Sequence, residues 1–301
     1  MTSSNSWSSQ DIPNLHGKVA LITGGNKGLG YQSALALVQK KALVIIACRN
    51  LESGLAARSR ILREAPHALV EVLELDLTDR KSITDCSKKV KKDHQRLDIL
   101  LCNAGVVNLE NYTLTTDLRE MHMATNHLGH FALTAQLLPL IKATHNARVV
   151  VVSSLAYKSG VIDFDDLSWK KRKYHRVKSY GDSKLANLLF VAQLNRYFLN
   201  QNIAAMAVSA HPGLTGTDRQ QSIGVGGRFA KWLASPVEKG VLPQLLAATK
   251  PDIKAGDFYG PKFGLKGRPT KLKLKEFDTQ LFERLWTVSE ELTGTKFGGE
   301  F

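Results

Sequence analysis

A short apolar run, a glycine-rich turn and a helix-forming stretch follow one another near the start of the chain. Residues 18–23 (Lys-Val-Ala-Leu-Ile-Thr) have the length of a strand, residues 24–30 read Gly-Gly-Asn-Lys-Gly-Leu-Gly, and residues 31–40 are rich in Ala and Leu. In this order a strand, turn and helix direct backbone N–H groups and a helix N-terminus at a pyrophosphate. The pattern predicts a dinucleotide site on a parallel sheet. Its candidate contacts are Gly24, Asn26, Lys27, Gly28, Leu29 and Gly30.

The rest of the chain alternates strand-like and helix-like segments. The strand-like runs are continuously apolar, as expected of strands buried on both faces. They lie near residues 18–23, 43–48, 69–75, 97–102, 147–153 and 203–209, and the helical stretches near 28–40, 51–65, 79–95, 115–144 and 178–200. This order predicts an α/β fold, a single-domain, doubly wound parallel sheet with helices on both faces.

Ligands of such sheets bind at the carboxyl ends of the strands, so the residues that follow each strand are candidate contacts. Arg49 follows the second run, where an acidic residue would favour NAD and a cation favours a 2′-phosphate. With Lys27 as a second cation, the sequence predicts NADP(H). The remaining candidates after successive strands are Asp76 and Leu77; Asn103, Ala104 and Gly105; Ser153 and Ser154; and Pro212, Gly213, Thr215 and Thr217.

Tyr180 and Lys184 are four residues apart at the start of a long helical stretch. This spacing places the phenol and the ammonium on one helix face. A nearby cation favours the phenolate, so we expect Lys184 to move the pKa of Tyr180 toward neutrality and make it a usable acid or base. By itself the Tyr-x-x-x-Lys spacing is weak evidence for a catalytic pair, because it also occurs by chance on exposed helix faces.

Composition and charge limit the other classes of protein to which this chain could belong. The chain of 301 residues is 43% hydrophobic, and we find neither a membrane-spanning apolar run nor a signal peptide. Its three cysteines lack metal-ligand spacing, so a cytoplasmic protein without a metal site is expected. The net charge of +14 includes two segments without acidic residues, 170–178 and 262–275. We interpret them mainly as solvated rims that attract an anionic cofactor; peripheral membrane contact stays open, and a nucleic-acid partner is disfavoured for lack of a binding motif.

Several motifs together resemble the classical short-chain dehydrogenase/reductase family. They are Thr23-Gly24-x-x-x-Gly28-x-Gly30, Asn103-Ala104-Gly105, Asn126, Ser154, Tyr180-x-x-x-Lys184 and Pro212-Gly213. The resemblance covers about residues 17–295. Further motifs, such as Ala47-Cys48-Arg49 and Asn126-His127-Leu128-Gly129-His130-Phe131, are similar to the retinol dehydrogenase-like and protochlorophyllide reductase-like branch. The resemblance implies a Rossmann fold.

The resemblance also implies roles for individual residues. Tyr180 would be the general acid/base, Lys184 would hold the nicotinamide ribose, and Ser154 would bind the substrate oxygen. Asn126, within a bent helix, would hold a water that connects Lys184 to solvent. Pro212, Gly213, Thr215 and Thr217 would lie at the nicotinamide end.

Three variable regions are expected to set the substrate. They are residues 106–113, a long insertion at 157–178 between Ser154 and Tyr180, and a glycine-rich substrate lid at 218–235. Residues 1–16 are expected to be a mobile polar tail and residues 296–301 a C-terminal tail. Helices at 115–144 and 178–200 are compatible with a homodimer interface.

The expected activity is therefore an NADP(H)-dependent oxidoreductase that moves a hydride between nicotinamide and a carbonyl or alcohol of an apolar or aromatic small molecule. Two alternatives stay open. One is light-dependent C=C reduction of the protochlorophyllide type. The other is a noncatalytic NADP(H)-binding sensor, which the presence of Asn126, Ser154, Tyr180 and Lys184 disfavours.

Overall fold

The computed structural model describes residues 6–214 and 235–299. Its centre is a sheet whose strands lie in the order β3-β2-β1-β4-β5-β6-β7-β8, parallel from β1 to β7, with β8 antiparallel to β7. Within the described ranges the strands are β1 Val19–Thr23, β2 Leu43–Cys48, β3 Leu69–Glu74, β4 Ile99–Cys102, β5 Ala147–Val152, β6 Ala205–Ala210, β7 Phe258–Pro261 and β8 Pro269–Leu272.

Helices cover both faces of this sheet. They are α1 Gly28–Gln39, α2 Leu51–Glu64, α3 Arg80–Asp93, α4 Met121–Met123, α5 Gly129–Gln136, α6 Leu138–Ala143, α7 Arg176–Asn200, α8 Val237–Gly240, α9 Leu242–Thr249 and α10 Thr279–Thr293. Alternate residues of β1 belong to different cores: Ala20 and Ile22 pack on the side of α1 and α9, whereas Val19 and Leu21 pack on the side of α3 and α7. The predicted doubly wound fold is confirmed.

The six predicted strands are present, and their register aligns the candidate site. Thr23 lies opposite Ala47, Cys102 opposite Val151, and Val152 opposite Ala210. The loops that follow these strands therefore meet at one edge of the sheet. This common edge contains the candidate site.

The predicted helix at 115–144 was wrong in its first turn and in its regularity. Leu114 and Glu120 instead form an isolated antiparallel bridge, and α4 begins at Met121 because the Glu120 carboxylate accepts the Met123 N–H at 2.8 Å. A π-helical turn, Ala124–Leu128, then joins α4 to α5. Such single π turns often occur at functional sites.

Parts of both predicted tails are packed. Ile12 and Leu15 are buried in the core, although they lie within the segment predicted to be mobile. Phe297 packs against Trp286, with ring centroids 4.2 Å apart, and against Phe131 at 5.1 Å. Each of these apolar side chains lies in a polar stretch of the sequence. Each packs against residues from distant segments of the chain. None of the helices in residues 6–214 and 235–299 is long and apolar enough to cross a membrane.

Candidate active site

The glycine-rich turn forms a close-fitting cradle at the start of α1. Gly24 and Gly28 have φ of +67° and +53°, a region that favours glycine. A Cβ on Gly30 would overlap the carbonyl oxygen of Gly24, so glycine is needed there for helix and strand to approach. Lys27, the N-cap residue, gives no side-chain hydrogen bond to the helix. The first N–H groups of α1 are thus available in a way that fits the pyrophosphate of a dinucleotide.

A buried hydroxyl holds the neighbouring loop beside this cradle. Thr23 Oγ1 accepts the N–H groups of Asn103 and Ala104, both at 2.9 Å, and the Asn103 side chain donates to the Thr23 carbonyl at 2.8 Å. The next residue, Gly105, leaves room that a side chain would fill, because a Cβ there would lie 2.8 Å from Asn126 Oδ1. The loop after β4 therefore exposes backbone atoms, which no side chain covers at Gly105, at the edge of the site.

Tyr180 and Lys184 are in the first half of α7 and face the same cavity. Lys184 is only 4% exposed, and its Nζ donates to the Val152 carbonyl at 3.0 Å. The same Nζ lies 5.6 Å from the centroid of the Tyr180 ring. A largely buried ammonium so close to a phenol favours the phenolate. The two side chains thus share one face of α7, whereas the effect of Lys184 on the pKa of Tyr180 stays a prediction.

The two serines after β5 have different surroundings. Ser153 is buried and its hydroxyl donates to the Lys184 carbonyl at 2.8 Å, so it helps to fix α7. Both serines line the cavity, but Ser154 is less buried, and its Oγ accepts the Ala156 N–H at 3.3 Å. Its hydroxyl proton can point to a ligand, because that bond uses only an acceptor lone pair. Ser154 stays the predicted contact of the substrate oxygen.

Asn126 lies in the π turn, behind the cavity wall. Its Oδ1 accepts the Val106 N–H at 2.8 Å, and its Nδ2 donates to the Val106 carbonyl at 3.0 Å and to Ser183 Oγ at 2.9 Å. The side chain therefore fastens the loop after Gly105 to α7, one residue before Lys184. These contacts occupy the amide with protein atoms.

A cavity of about 360 Å³ joins the nucleotide cradle to the Tyr180 region. Twelve of the candidate residues line it: Lys27, Gly28, Leu29, Gly30, Asn103, Gly105, Ser153, Ser154, Tyr180, Lys184, Pro212 and Gly213. Apolar side chains from several elements form much of the remaining wall, namely Val107, Leu155, Val177, Leu214 and Leu265. Thr215, Thr217 and all of the predicted lid except Ser235 lie outside the described residues.

Several other predicted nucleotide contacts, Arg49, Asn26, Asp76 and Leu77, do not line the cavity. Arg49 is exposed two residues beyond Ala47, whose carbonyl accepts the Gly24 N–H at 2.7 Å, so it lies at the same edge as the turn. Asn26 Nδ2 donates to Ser53 Oγ at 2.6 Å. Asp76 Oδ1 accepts the Thr78 N–H at 2.8 Å. Leu77 is buried.

His130, which the sequence shows only as part of the motif at residues 126–131, connects two parts of the candidate site. Burial lowers its pKa to about 4, so the ring is neutral near pH 7. Its Nδ1 donates to the Asn126 carbonyl at 3.0 Å, which leaves Nε2 to accept the Thr23 hydroxyl at 2.8 Å. His130 thus connects the π turn to the loop that Thr23 holds. Its spacing of four residues from Asn126 was the available signal.

The fold, the glycine cradle and the Tyr180–Lys184 pair together define a short-chain dehydrogenase. The sequence profile of the short chain dehydrogenase family matches residues 18–225, and the chain belongs to this family of oxidoreductases.

Within the family the chain is retinol dehydrogenase-like. Retinol dehydrogenase 13 of Homo sapiens is 36% identical over 288 residues, which are 92% of this chain and 85% of that protein. Retinol dehydrogenase 12 of Homo sapiens is 37% identical over 290 residues, 94% and 88% of the two chains. A solved structure of an uncharacterised protein from Mycobacterium paratuberculosis, 36% identical, has a TM-score of 0.81 and covers 97% of this chain and 99% of that one. The resemblance predicted from the motifs is confirmed.

Proposed function

We propose that this protein is an NADP(H)-dependent oxidoreductase that interconverts a carbonyl and an alcohol on an apolar or aromatic small molecule. One observation carries the proposal: a single cavity has the glycine cradle at one end and Ser154, Tyr180 and Lys184 at the other. A dinucleotide held in the cradle would therefore extend toward the acid/base residues. When bound, its nicotinamide supplies or accepts the hydride.

The proposed division of labour follows from the contacts of each side chain. Tyr180 donates a proton to the substrate oxygen during reduction and removes it during oxidation. Lys184 stabilises the phenolate and binds the ribose hydroxyls of the nicotinamide half. Ser154 donates its hydroxyl proton to the substrate oxygen and holds it near Tyr180. Asn126 keeps the Val106 backbone and Ser183 in place beside Lys184.

The preference for NADP(H) is part of the proposal and rests on charge. Lys27 and Arg49 are both exposed beside the turn. No carboxylate occupies the position after β2, where a ribose 2′-OH would need an acceptor. Two cations suit a 2′-phosphate, which makes strong charge-assisted hydrogen bonds. Gly24, Asn26, Asp76, Leu77, Ala104, Thr215 and Thr217 complete the proposed cofactor set.

The cavity wall supports an apolar substrate. Val107, Leu155, Val177, Leu214 and Leu265 offer hydrocarbon surface around Tyr180. The names of the relatives point to retinol as one candidate alcohol. Reduction of a C=C bond remains the second candidate, because the same Tyr180–Lys184 pair can protonate a carbon.

A direct assay of NADPH oxidation tests the proposal. The purified protein is mixed with NADPH and, separately, retinoids, steroids, aromatic aldehydes and aliphatic ketones, and NADPH oxidation is followed first in the dark and then under illumination. We expect turnover of at least one carbonyl class, with Tyr180→Phe as the matched inactive control. Cofactor binding without turnover of any carbonyl would favour the noncatalytic alternative, and turnover that requires light would favour the C=C reductase.

A further inference from the structure

The loop after Gly105 is held at Val106 by Asn126 and again, three residues further on, at Leu109. Residues 106–113 are named here the substrate wall, because Val107 and Asn108 line the cavity. The next residue, Leu109, donates its N–H to His122 Nε2 at 3.3 Å and accepts the hydroxyl of Tyr174 on its carbonyl at 2.9 Å. Both bonds fix the backbone immediately beyond the cavity-lining residues.

His122 connects the substrate wall to the start of α7. Its Nε2 accepts an amide N–H, so Nδ1 carries the ring proton and donates to the Glu120 carboxylate at 2.7 Å, with Ser179 Oγ at 3.1 Å. The ring is fully buried and meets the Tyr180 ring edge-on, with centroids 5.8 Å apart. One side chain therefore contacts the wall and the residue proposed to transfer the proton.

Tyr174 belongs to the insertion, residues 157–178, and packs against the wall as well as bonding to it. Its ring centroid lies 5.5 Å from that of Tyr112, and the Tyr112 hydroxyl donates to the Ser168 carbonyl at 2.6 Å. On the other side, Trp169 lies 6.0 Å from the Tyr174 ring. The insertion and the substrate wall thus share one aromatic and hydrogen-bonded interface.

The insertion is in turn anchored on α7 just past Tyr180. The buried carboxylate of Asp182 accepts the Val161 N–H at 2.8 Å, the Trp169 indole N–H at 3.1 Å and the Arg172 guanidinium at 3.2 Å. Asp182 and Ser179 flank Tyr180 in sequence, so both anchors are within one helical turn of the phenol. This arrangement makes the insertion, the wall and the first turns of α7 a connected unit.

The backbone of the wall also has a specific shape. Asn108 has φ of +47°, the left-handed region that Asn tolerates better than most residues. Val107 and Asn108 line the cavity, whereas the backbone of Leu109 bonds to His122 and Tyr174. The two cavity-lining residues therefore lie between Val106, which Asn126 holds, and Leu109, so releasing Leu109 frees one end of this short segment.

We propose that His122 and Tyr174 are positioning residues that set substrate selectivity by fixing the substrate wall relative to Tyr180. The inference rests on the proposed carbonyl–alcohol activity and adds to it the element that selects among apolar substrates by shape. When the substrate wall is held in place, the cavity discriminates between a bulky and a slim apolar carbonyl substrate. When the substrate wall is released, the cavity accepts the two substrates more equally. The two Leu109 bonds involve neither the Tyr180 hydroxyl nor the glycine cradle, so we expect loss of the Tyr174 bond to leave the chemical step and cofactor binding largely unchanged.

Two readouts test this proposal on the full-length protein. Hydrogen–deuterium exchange of peptides spanning residues 106–113 reports how firmly the wall is held, with no need for turnover. Steady-state kinetics with a bulky and a slim carbonyl from the active class report selectivity. The main variant is Tyr174→Phe, which keeps the ring and removes only the hydroxyl. Tyr259→Phe is the matched control, because its hydroxyl bonds to Asp257 at 2.8 Å.

Loss of a single hydrogen bond should accelerate exchange in the wall by about two- to tenfold in Tyr174→Phe and leave it unchanged in Tyr259→Phe. The ratio of kcat/KM for the two carbonyls should move by a similar factor, mainly through KM, with kcat and NADPH affinity within about twofold of wild type. His122→Phe should also release the wall, whereas His122→Gln, which retains an acceptor, should restore part of the protection.

Unchanged exchange in Tyr174→Phe would overturn the proposal, and so would faster exchange without any change in selectivity. If the wild-type protein turned over no carbonyl, the proposed function would fall with its selectivity role, while exchange would still decide whether Tyr174 and His122 hold the wall.

Discussion

Tyr180 is the residue on which the proposed chemistry depends most. Its ring contacts His122 and lies near Lys184 Nζ, whereas only its hydroxyl can exchange a proton with a substrate. Tyr180→Phe should therefore keep NADPH affinity within about twofold while reducing kcat by about 10²- to 10⁴-fold, the usual contribution of general acid/base catalysis. Fluorescence titration with NADPH and single-turnover kinetics measure the two effects. A variant that retained near-normal kcat would remove Tyr180 from the mechanism.

Arg49 is the residue that tests cofactor choice. Arg49→Asp replaces a cation suited to a 2′-phosphate with a carboxylate that repels it and can accept from a 2′-OH. A charge-assisted hydrogen bond contributes about 1.5–3 kcal/mol, so the NADPH/NADH ratio of kcat/KM should fall roughly ten- to hundredfold. Arg58→Asp, an exposed site on α2, controls for net charge. An unchanged ratio at low salt would mean that Arg49 does not contact the cofactor.

The sequence alone predicted two kinds of site residue: those whose partners are close along the chain, and those that belong to a motif with a fixed spacing. Tyr180 and Lys184 are one helical turn apart, and Ser154 follows a strand that is easily recognised. His122 and Tyr174 gave no such signal, because Tyr174 bonds to a residue 65 positions away and His122 bonds to Ser179, 57 positions away. Contacts of this kind arise only from tertiary packing.

At the scale of elements, the strands buried on both faces were predictable because they are continuously apolar. β7 and β8 have four residues each, and β7 includes Gly260 and Pro261, so neither gives a clear pattern. The helix predicted at 115–144 has apolar residues throughout, but periodicity alone does not show that Glu120 begins α4 or that a π turn follows it. Caps and turns of this kind depend on individual hydrogen bonds.

The C-terminal segment after α10 offers a test of packing. Phe297 is half-buried among the rings of Trp286, Phe131, Phe190 and Tyr197. Phe297→Ala should lower the free energy of unfolding by about 2 kcal/mol, below the value for a fully buried Phe. Phe263→Ala, at a ring that is 76% exposed, should change it by less than about 0.5 kcal/mol. Urea denaturation of both variants measures these changes. Equal losses in the free energy of unfolding would contradict the packing role of Phe297.

At the scale of the whole molecule, buried neutral histidines make stability depend on pH. Burial lowers the pKa of His127 to about 3 and that of His211 to about 4, from an ordinary value of 6.5. The unfolded chain therefore binds more protons than the folded one below pH 6.5, so stability is complete above that pH and falls on acidification toward these lower values.

Replacing one of these histidines should flatten this dependence. Each contributes a slope of about 1.4 kcal/mol per pH unit between its folded and unfolded pKa values, so His127→Gln should reduce the slope between pH 6 and 4 by that amount. Chemical denaturation of wild type and variant across this range measures it. Because the slope is compared, a uniform loss of stability in the variant does not matter; parallel curves would show that His127 is not held neutral.

The most direct test of the proposed function follows the hydride itself. NADPH that carries deuterium on C4 of its nicotinamide is incubated with the protein and the best carbonyl substrate, and the product is analysed by mass spectrometry and NMR. The proposal predicts deuterium on the carbon that bears the new hydroxyl group, and at least about 10²-fold less product with Tyr180→Phe. Deuterium on a carbon of a reduced C=C bond, or product formation that is unaffected by Tyr180→Phe, would contradict it.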